Sequence, residues 1–167
     1  MADHANSLTT MAAALGALLK ERKETVGVSE SSAGGLISAA LLAVPGASAY
    51  FLGGGVIYTQ AARRALLRVP DEAVAGIRSS TEAYALLKAR TIRQLLGTTW
   101  GLAETGATGP TGNRYGDKAG HACIAVIGPS VERATTIETG DADREKNMWA
   151  FARAALALLE ESLRHPR

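Results

Sequence analysis

Val26-Gly27-Val28-Ser29-Glu30-Ser31-Ser32-Ala33-Gly34-Gly35-Leu36 reads as a buried strand that stops at a polar turn and reopens as a helix through a pair of glycines. A strand-to-helix turn of this kind places side chains at the carboxyl edge of a sheet, where open α/β proteins bind ligands. The helix start offers unpaired N–H groups and the positive end of a macrodipole to an anion. Glycine lets the backbone approach a ligand closely. Ser31 and Ser32 are the hydroxyls at this lip. Taken alone, the stretch supports two readings: a serine that caps the helix, which is common, or a serine that acts as a nucleophile. It is neither a Walker loop nor a Gly-x-Ser-x-Gly elbow.

Working outward, Leu8, Met11, Leu15, Leu18 and Leu19 recur at helical spacing and predict an amphipathic helix capped near Asn6 or Ser7 and ending by Lys23. A strand is expected over 26–29. An almost wholly apolar, and therefore buried, helix is expected over 33–43, stopped by Val44-Pro45-Gly46. Residues 50–58, with Gly53-Gly54-Gly55, read as a strand with a bulge or a close backbone approach. A short helix (59–67) ends at Val69-Pro70, and a longer one (81–96) ends at Gly97. A strand at 99–104 runs into a polar, glycine-rich loop at 105–118. Strands at 119–127 and 131–138 flank Gly128-Pro129-Ser130, and a helix over 143–163 closes the chain. This order predicts an α/β fold, a single three-layer domain with a mixed β-sheet covered by helices on both faces. The domain spans 1–167, with 1–6 and 164–167 as flexible tails.

The chain has 167 residues, 47% of them hydrophobic, which suits one domain with a sizeable core. A formal charge of +2 gives no basic field for nucleic acid. A single cysteine rules out an internal disulfide and suits a reducing compartment. No apolar run reaches the roughly 20 residues of a membrane span. Met1-Ala2-Asp3-His4 lacks the pattern of a signal peptide. The expectation is a soluble cytoplasmic protein without nucleic-acid or membrane partners. Its apolar, alanine-rich helices predict a homo-oligomer. His4 and His165 fall in the tails. His121 and Cys123 alternate on one strand and share a face, but two ligands do not make a zinc site. No metal and no cofactor are expected.

Three polar loops, at 29–35, 58–64 and 105–118, each begin where an apolar strand ends, and their convergence would form a site. The first offers Glu30, Ser31 and Ser32. The second offers Tyr58, Thr59, Gln60, Arg63 and Arg64, where arginine suits phosphate through its planar fork. The third begins with Glu104-Thr105-Gly106-Ala107-Thr108-Gly109-Pro110, a polar surface without bulk. A solvated arginine pair and a plain surface loop are the competing readings.

Four of these segments, in order, resemble the CinA C-terminal domain family, the nicotinamide-nucleotide amidohydrolases, over about residues 8–159. Ser29-Glu30-Ser31-Ser32-Ala33-Gly34-Gly35 is similar to the family's Ala-Glu-Ser-Cys-Thr-Gly-Gly. Phe51 to Arg63 resembles its Phe-x-Gly-Gly-x-Val-x-Tyr-Ser-Asn-x-x-Lys. Thr105-Gly106-Ala107-Thr108-Gly109-Pro110 resembles Thr-Gly-x-Ala-Gly-Pro, and Gly140-Asp141-Ala142-Asp143-Arg144 resembles a late Gly-Asp-Arg. The resemblance implies a stand-alone member without the family's frequent N-terminal domain. It implies hydrolysis of the carboxamide of nicotinamide mononucleotide, releasing ammonia. Ser31 would then be the nucleophile, and Tyr58 and the residue at 63 would handle its proton. Glu30, Ser32, Gly34, Gly35, Glu104, Thr105, Gly106 and Arg144 would contact substrate. The sequence departs from the pattern at its proposed centre. Arg63 stands for the family lysine and, with a pKa above about 12, cannot be a general base. Glu104 replaces an apolar residue, Met148 replaces a second arginine, and Arg114, Tyr115 and Asp117 enter a shuffled loop. A catalytically altered member that binds a nucleotide-like ligand is therefore the alternative. A third possibility is an interaction module in DNA uptake, as the family name suggests; the near-neutral charge counts against direct DNA contact.

Overall fold

The computed structural model describes residues 2–165, apart from the side chains of residues 2 and 4–7. In chain order the elements are α1 (Ala2–Arg22), β1 (Val26–Glu30), α2 (Leu36–Leu42), β2 (Phe51–Val56), α3 (Gln60–Leu66), α4 (Glu82–Leu96), β3 (Trp100–Ala107), β4 (His121–Ile127), β5 (Glu132–Glu138) and α5 (Arg144–Arg164). Single 3-10 turns at Ala47–Ala49 and Asp71–Val74 complete them. The strands lie in the order β2-β1-β3-β4-β5. β1 runs parallel to β2 and β3, whereas β4 is antiparallel to both β3 and β5. The sheet is mixed because crossovers through helices join the first three strands and a tight connection joins the last two. The carboxyl ends of β1, β2 and β3 therefore share one edge.

Side-chain alternation divides the core between the two faces. Trp100, Leu102, Ile124 and Val126 pack with Leu15 and Leu19 of α1, Leu41 of α2 and Phe151 and Leu156 of α5. On the other face, Ala103, Cys123, Ala125 and Ile127 meet Ala85 and Ala89 of α4. Small residues let α4 lie close. At Gly101 a Cβ would stand 2.0 Å from the Ala89 carbonyl oxygen, with no flexible group to give way. We expect Gly101→Ala to destabilise the fold by about 3 kcal/mol, read from the urea midpoint at unchanged m-value.

Several boundaries differ from expectation. α1 begins at Ala2, ahead of the expected cap at Asn6 or Ser7, and Arg164 belongs to α5. Of the expected tails, Met1, Pro166 and Arg167 lie outside the described residues. α2 starts only at Leu36, because Gly34 and Gly35 hold positive φ angles of 68° and 101°. It is not wholly buried: Ile37 and Leu41 face the core, but Leu42 is 57% exposed. Residues 105–107 continue β3 rather than opening a loop, since they pair with Cys123, Ala122 and His121 of β4.

Candidate functional site

The turn after β1 is held by two buried carboxylates. Glu30 follows Val26 and Val28 on the face of β1 toward α2. Its Oε1 accepts the N–H groups of Gly35 (3.0 Å) and Ile37 (2.9 Å), and its Oε2 that of Ser38 (2.8 Å). Glu104, on neighbouring β3, reaches the same turn, where its Oε2 accepts the N–H groups of Ser31 and Ala33, both at 2.9 Å. The helix start does not present these donors to a ligand; the chain's own side chains fill them. Ser31 is not the helix cap either, since Gly35 occupies that position. Ser32 Oγ donates to the Gly106 carbonyl at 2.7 Å, tying the turn to β3. A Cβ at Gly34 would meet Met148 Cε at 2.6 Å, so Met148 packs over the turn.

Above the turn opens a cavity of about 590 Å³. Ser31 lines it from the turn, Ile57 to Ala61 from the segment after β2, and Thr105 and Gly106 from the end of β3. Ser79, Ser80 and Tyr84 at the start of α4, with Asn113, Arg114 and Tyr115, complete it. The three polar loops converge, as the edge shared by the parallel strands requires. The wall is aromatic and free of carboxylates: three of the chain's four tyrosines, Tyr58, Tyr84 and Tyr115, line it, and Arg114 is its cation. Tyr115 lies between Arg78 and Arg114, at 5.4 and 5.1 Å from the ring centroid. The Arg114 hydrogen bond to its hydroxyl, at 2.9 Å, holds the phenol below its usual pKa. Arg78 is neutralised by a two-pronged pair with Asp117, at 2.6 and 3.0 Å. Asn113 accepts the N–H groups of Tyr115 and Asp117, so this loop is internally braced.

Arg144 donates to the Gly109 carbonyl at 2.6 Å and to the Tyr58 hydroxyl at 3.1 Å. Ser31, Tyr58, Thr105, Gly106 and, through Tyr58, Arg144 therefore come together. Ser32, Gly34 and Gly35 shape the turn, and Glu30 and Glu104 lie beneath it. Arg63 is not among the lining residues: it is buried and turned to Asp71, which also pairs with Arg64 at 2.9 Å.

Sequence reasoning missed Lys88. It is fully buried on α4, donates to the Glu104 carbonyl at 2.9 Å, and lies 5.8 Å from the centroid of the Tyr84 ring. Burial pulls its ammonium down to about 8, against the opposing pull of Glu104 and Glu30. Burial likewise pushes the Glu104 carboxyl up, against the charge of Lys88 and the two turn amides. The signal was present: Tyr84, Ala85, Lys88, Ala89 and Ile92 form one helical stripe, with a lysine in its apolar middle.

His121 and Cys123 do share a face, and both meet the Ser80 carbonyl: His121 Nε2 at 2.9 Å and Cys123 Sγ at 3.5 Å. His121 Nδ1 pairs with Glu138. Burial opposes the charge of this imidazole, but the hydrogen bonds to Glu138 and Ser80 outweigh it and raise the pKa. The raised value makes the contribution of the imidazolium to stability full below about pH 6.5 and lost as pH rises through the folded value. Relative to His121→Gln, the protein should therefore be more stable at pH 6 than at pH 9, as urea titrations at the two pH values would read. Among the described residues no group of three or more His, Cys, Asp or Glu could hold a metal ion. No described helix is long and apolar enough to cross a membrane.

A serine-bearing turn and an aromatic, cation-walled cavity thus stand at the carboxyl edge of a mixed sheet, in a single α/β domain covered by helices on both faces. The family model of the CinA C-terminal domain matches residues 8–163, and the chain belongs to that family. It is 36% identical over 135 residues to a CinA-like protein of Synechococcus elongatus, covering 78% of this chain and 32% of that one. With a CinA-like protein of Desulfosudis oleivorans it shares 35% identity over 151 residues, 90% of this chain and 37% of the relative. The chain thus spans about a third of the length of these relatives. Among solved structures, competence damage-inducible protein A of Klebsiella pneumoniae superposes with a TM-score of 0.89 at 28% identity, covering 96% of this chain and 99% of that one. The competence/damage inducible protein CihA of Agrobacterium tumefaciens gives 0.87 at 26%, covering 95% and 96%.

Proposed function

We propose that the cavity hydrolyses the carboxamide of a small pyridine nucleotide, with nicotinamide mononucleotide the first substrate to test. The observation that carries this is the convergence of Ser31, Tyr58 and Thr105, in the family's order, on one carboxylate-free cavity walled by tyrosines and Arg114. A planar ring suits the tyrosine faces, and a phosphate suits an arginine without a carboxylate partner. In the reaction, Ser31 Oγ attacks the carboxamide carbon, the C–N bond breaks and ammonia leaves carrying the serine proton. Water then hydrolyses the ester, yielding the carboxylate and free serine. Tyr58 is the candidate for relaying the proton, because Arg63 is turned away to Asp71. The amides of Ser31 and Ala33 are taken by Glu104, so the oxyanion depends on other donors.

Ammonia release from nicotinamide mononucleotide is the test; release no greater than that of Ser31→Ala overturns the proposal. Arg114→Ala should raise KM by about 10- to 100-fold, the worth of one charge-assisted contact to phosphate, with a smaller effect on kcat. The position of Arg63 favours a second reading, a ligand-binding member without turnover. In that case calorimetry finds nucleotide binding in a protein that releases no ammonia.

A further inference from the structure

The turn that carries Ser31 rests on an unusual arrangement. Two carboxylates from adjacent parallel strands, Glu30 and Glu104, and one ammonium from α4, Lys88, are all fully buried within the same few residues. Glu30 is saturated by the start of α2. Glu104 is not: Oε2 holds Ser31 and Ala33, while Oε1 has no hydrogen-bond partner. A buried carboxylate of this kind is costly unless a cation compensates it. The available cation is Lys88, whose Nζ bonds the main-chain oxygen of the same glutamate. Lys88 in turn lies over the ring of Tyr84, 5.8 Å from its centroid, and Tyr84 lines the cavity.

We propose that Glu104 is the positioning residue of Ser31, gripping the backbone at Ser31 and Ala33 from below, and that Lys88 is the counter-ion that keeps this grip ionic. The proposal rests on the reading of Ser31 as the nucleophile. A carboxylate accepts stronger hydrogen bonds than a carboxyl group does, so the charge of Lys88 governs how rigidly the serine is held. The hydroxyl is then preorganised before substrate arrives, and the effect belongs in kcat rather than KM. The groups facing Lys88 are Glu104 of β3, Glu30 of β1 and the Tyr84 ring on its own helix. As pH rises through about 8 and Lys88 loses its proton, the grip should loosen.

The experiment measures amide hydrogen exchange at Ser31 and Ala33 by NMR, together with kcat and KM for ammonia release. It compares the wild type, Glu104→Gln, Lys88→Met and the double variant Lys88→Met/Glu104→Val. Glu104→Gln keeps the shape and removes the charge; the double variant removes both charges and leaves an apolar pair, guarding against a single variant that fails to fold. In Glu104→Gln and Lys88→Met, protection at Ser31 and Ala33 should fall at least about tenfold while Val28 in β1 stays protected, and kcat should fall with KM within about threefold. Wild-type protection should decline above pH 8, and that of Lys88→Met should not change there. The double variant should regain part of the stability lost in the single variants yet keep a low kcat, whereas a merely structural pair would regain both. Unchanged protection at Ser31 and Ala33 in both single variants overturns the proposal, as does full kcat in the double variant. Lost protection in a series whose wild type releases no ammonia overturns only the amidase reading and leaves the grip in place.

Discussion

Lys88→Met alone should destabilise the protein by about 3–5 kcal/mol, and Glu104→Val alone by a comparable amount, while the double variant loses less than the sum of the two and keeps the cost of the unpaired Ser31 and Ala33 amides. Each single change leaves a buried group without its compensation. Lys88→Met strips the counter-charge from a carboxylate that has no exposed surface. Glu104→Val leaves the Ser31 and Ala33 amides unpaired and Lys88 with only Glu30 nearby. Replacing both members of a buried ion pair by apolar side chains of similar volume is often neutral or stabilising. Urea midpoints of the four proteins close a double-mutant cycle, and a coupling energy of about 1 kcal/mol or more is expected for two opposite charges buried at one site, where Lys88 Nζ bonds the main-chain oxygen of Glu104. Additive losses would mean that the two side chains act independently.

Ser31→Ala should lower ammonia release from nicotinamide mononucleotide by about 10³-fold or more, the usual cost of deleting a nucleophile, while stability changes by less than about 1 kcal/mol. The contrast follows from the geometry. The backbone N–H of Ser31 makes the structural contact with Glu104, and that N–H survives the substitution. The side chain lies at the cavity wall rather than in the core. Nucleotide affinity, read by calorimetry, should stay within severalfold because Arg114 and the tyrosines are untouched. A stability loss of several kcal/mol would assign the hydroxyl a structural role instead.

Much of the fold was legible because its signals are local. The glycine pair, Val69-Pro70, Gly97 and the Gly128-Pro129-Ser130 turn punctuate the chain where its elements end, give or take a few residues. The extension of β3 through residue 107 was not legible, since pairing with β4 decides it rather than the polar character of Thr105 and Gly106. Convergence of the loops could be anticipated from where the strands end, but only the sheet order β2-β1-β3 puts those ends on one edge. The turn was misread at one point for a clear physical reason. Sequence displays a helix start with free amides, but not the side chains that fold back onto them, and here Glu30 and Glu104 take those amides. The Arg63–Asp71 pair and the bond of Lys88 to the Glu104 carbonyl escaped for the same reason, because such partners are chosen by tertiary packing. Lys88 alone carried a sequence signal, a cation on an apolar helical stripe.

The central claim is that Ser31 meets a carboxamide inside this cavity, and the most direct measurement is a crystal structure of Ser31→Ala with nicotinamide mononucleotide bound. The predicted result places the pyridine ring among Tyr58, Tyr84 and Tyr115, with the carboxamide carbon about 3–3.5 Å from where the serine oxygen would stand. The phosphate should lie against Arg114. A phosphate seated on the N–H groups of the Ser31–Gly35 turn, with Glu30 and Glu104 displaced, would contradict it. So would a carboxamide directed away from residue 31.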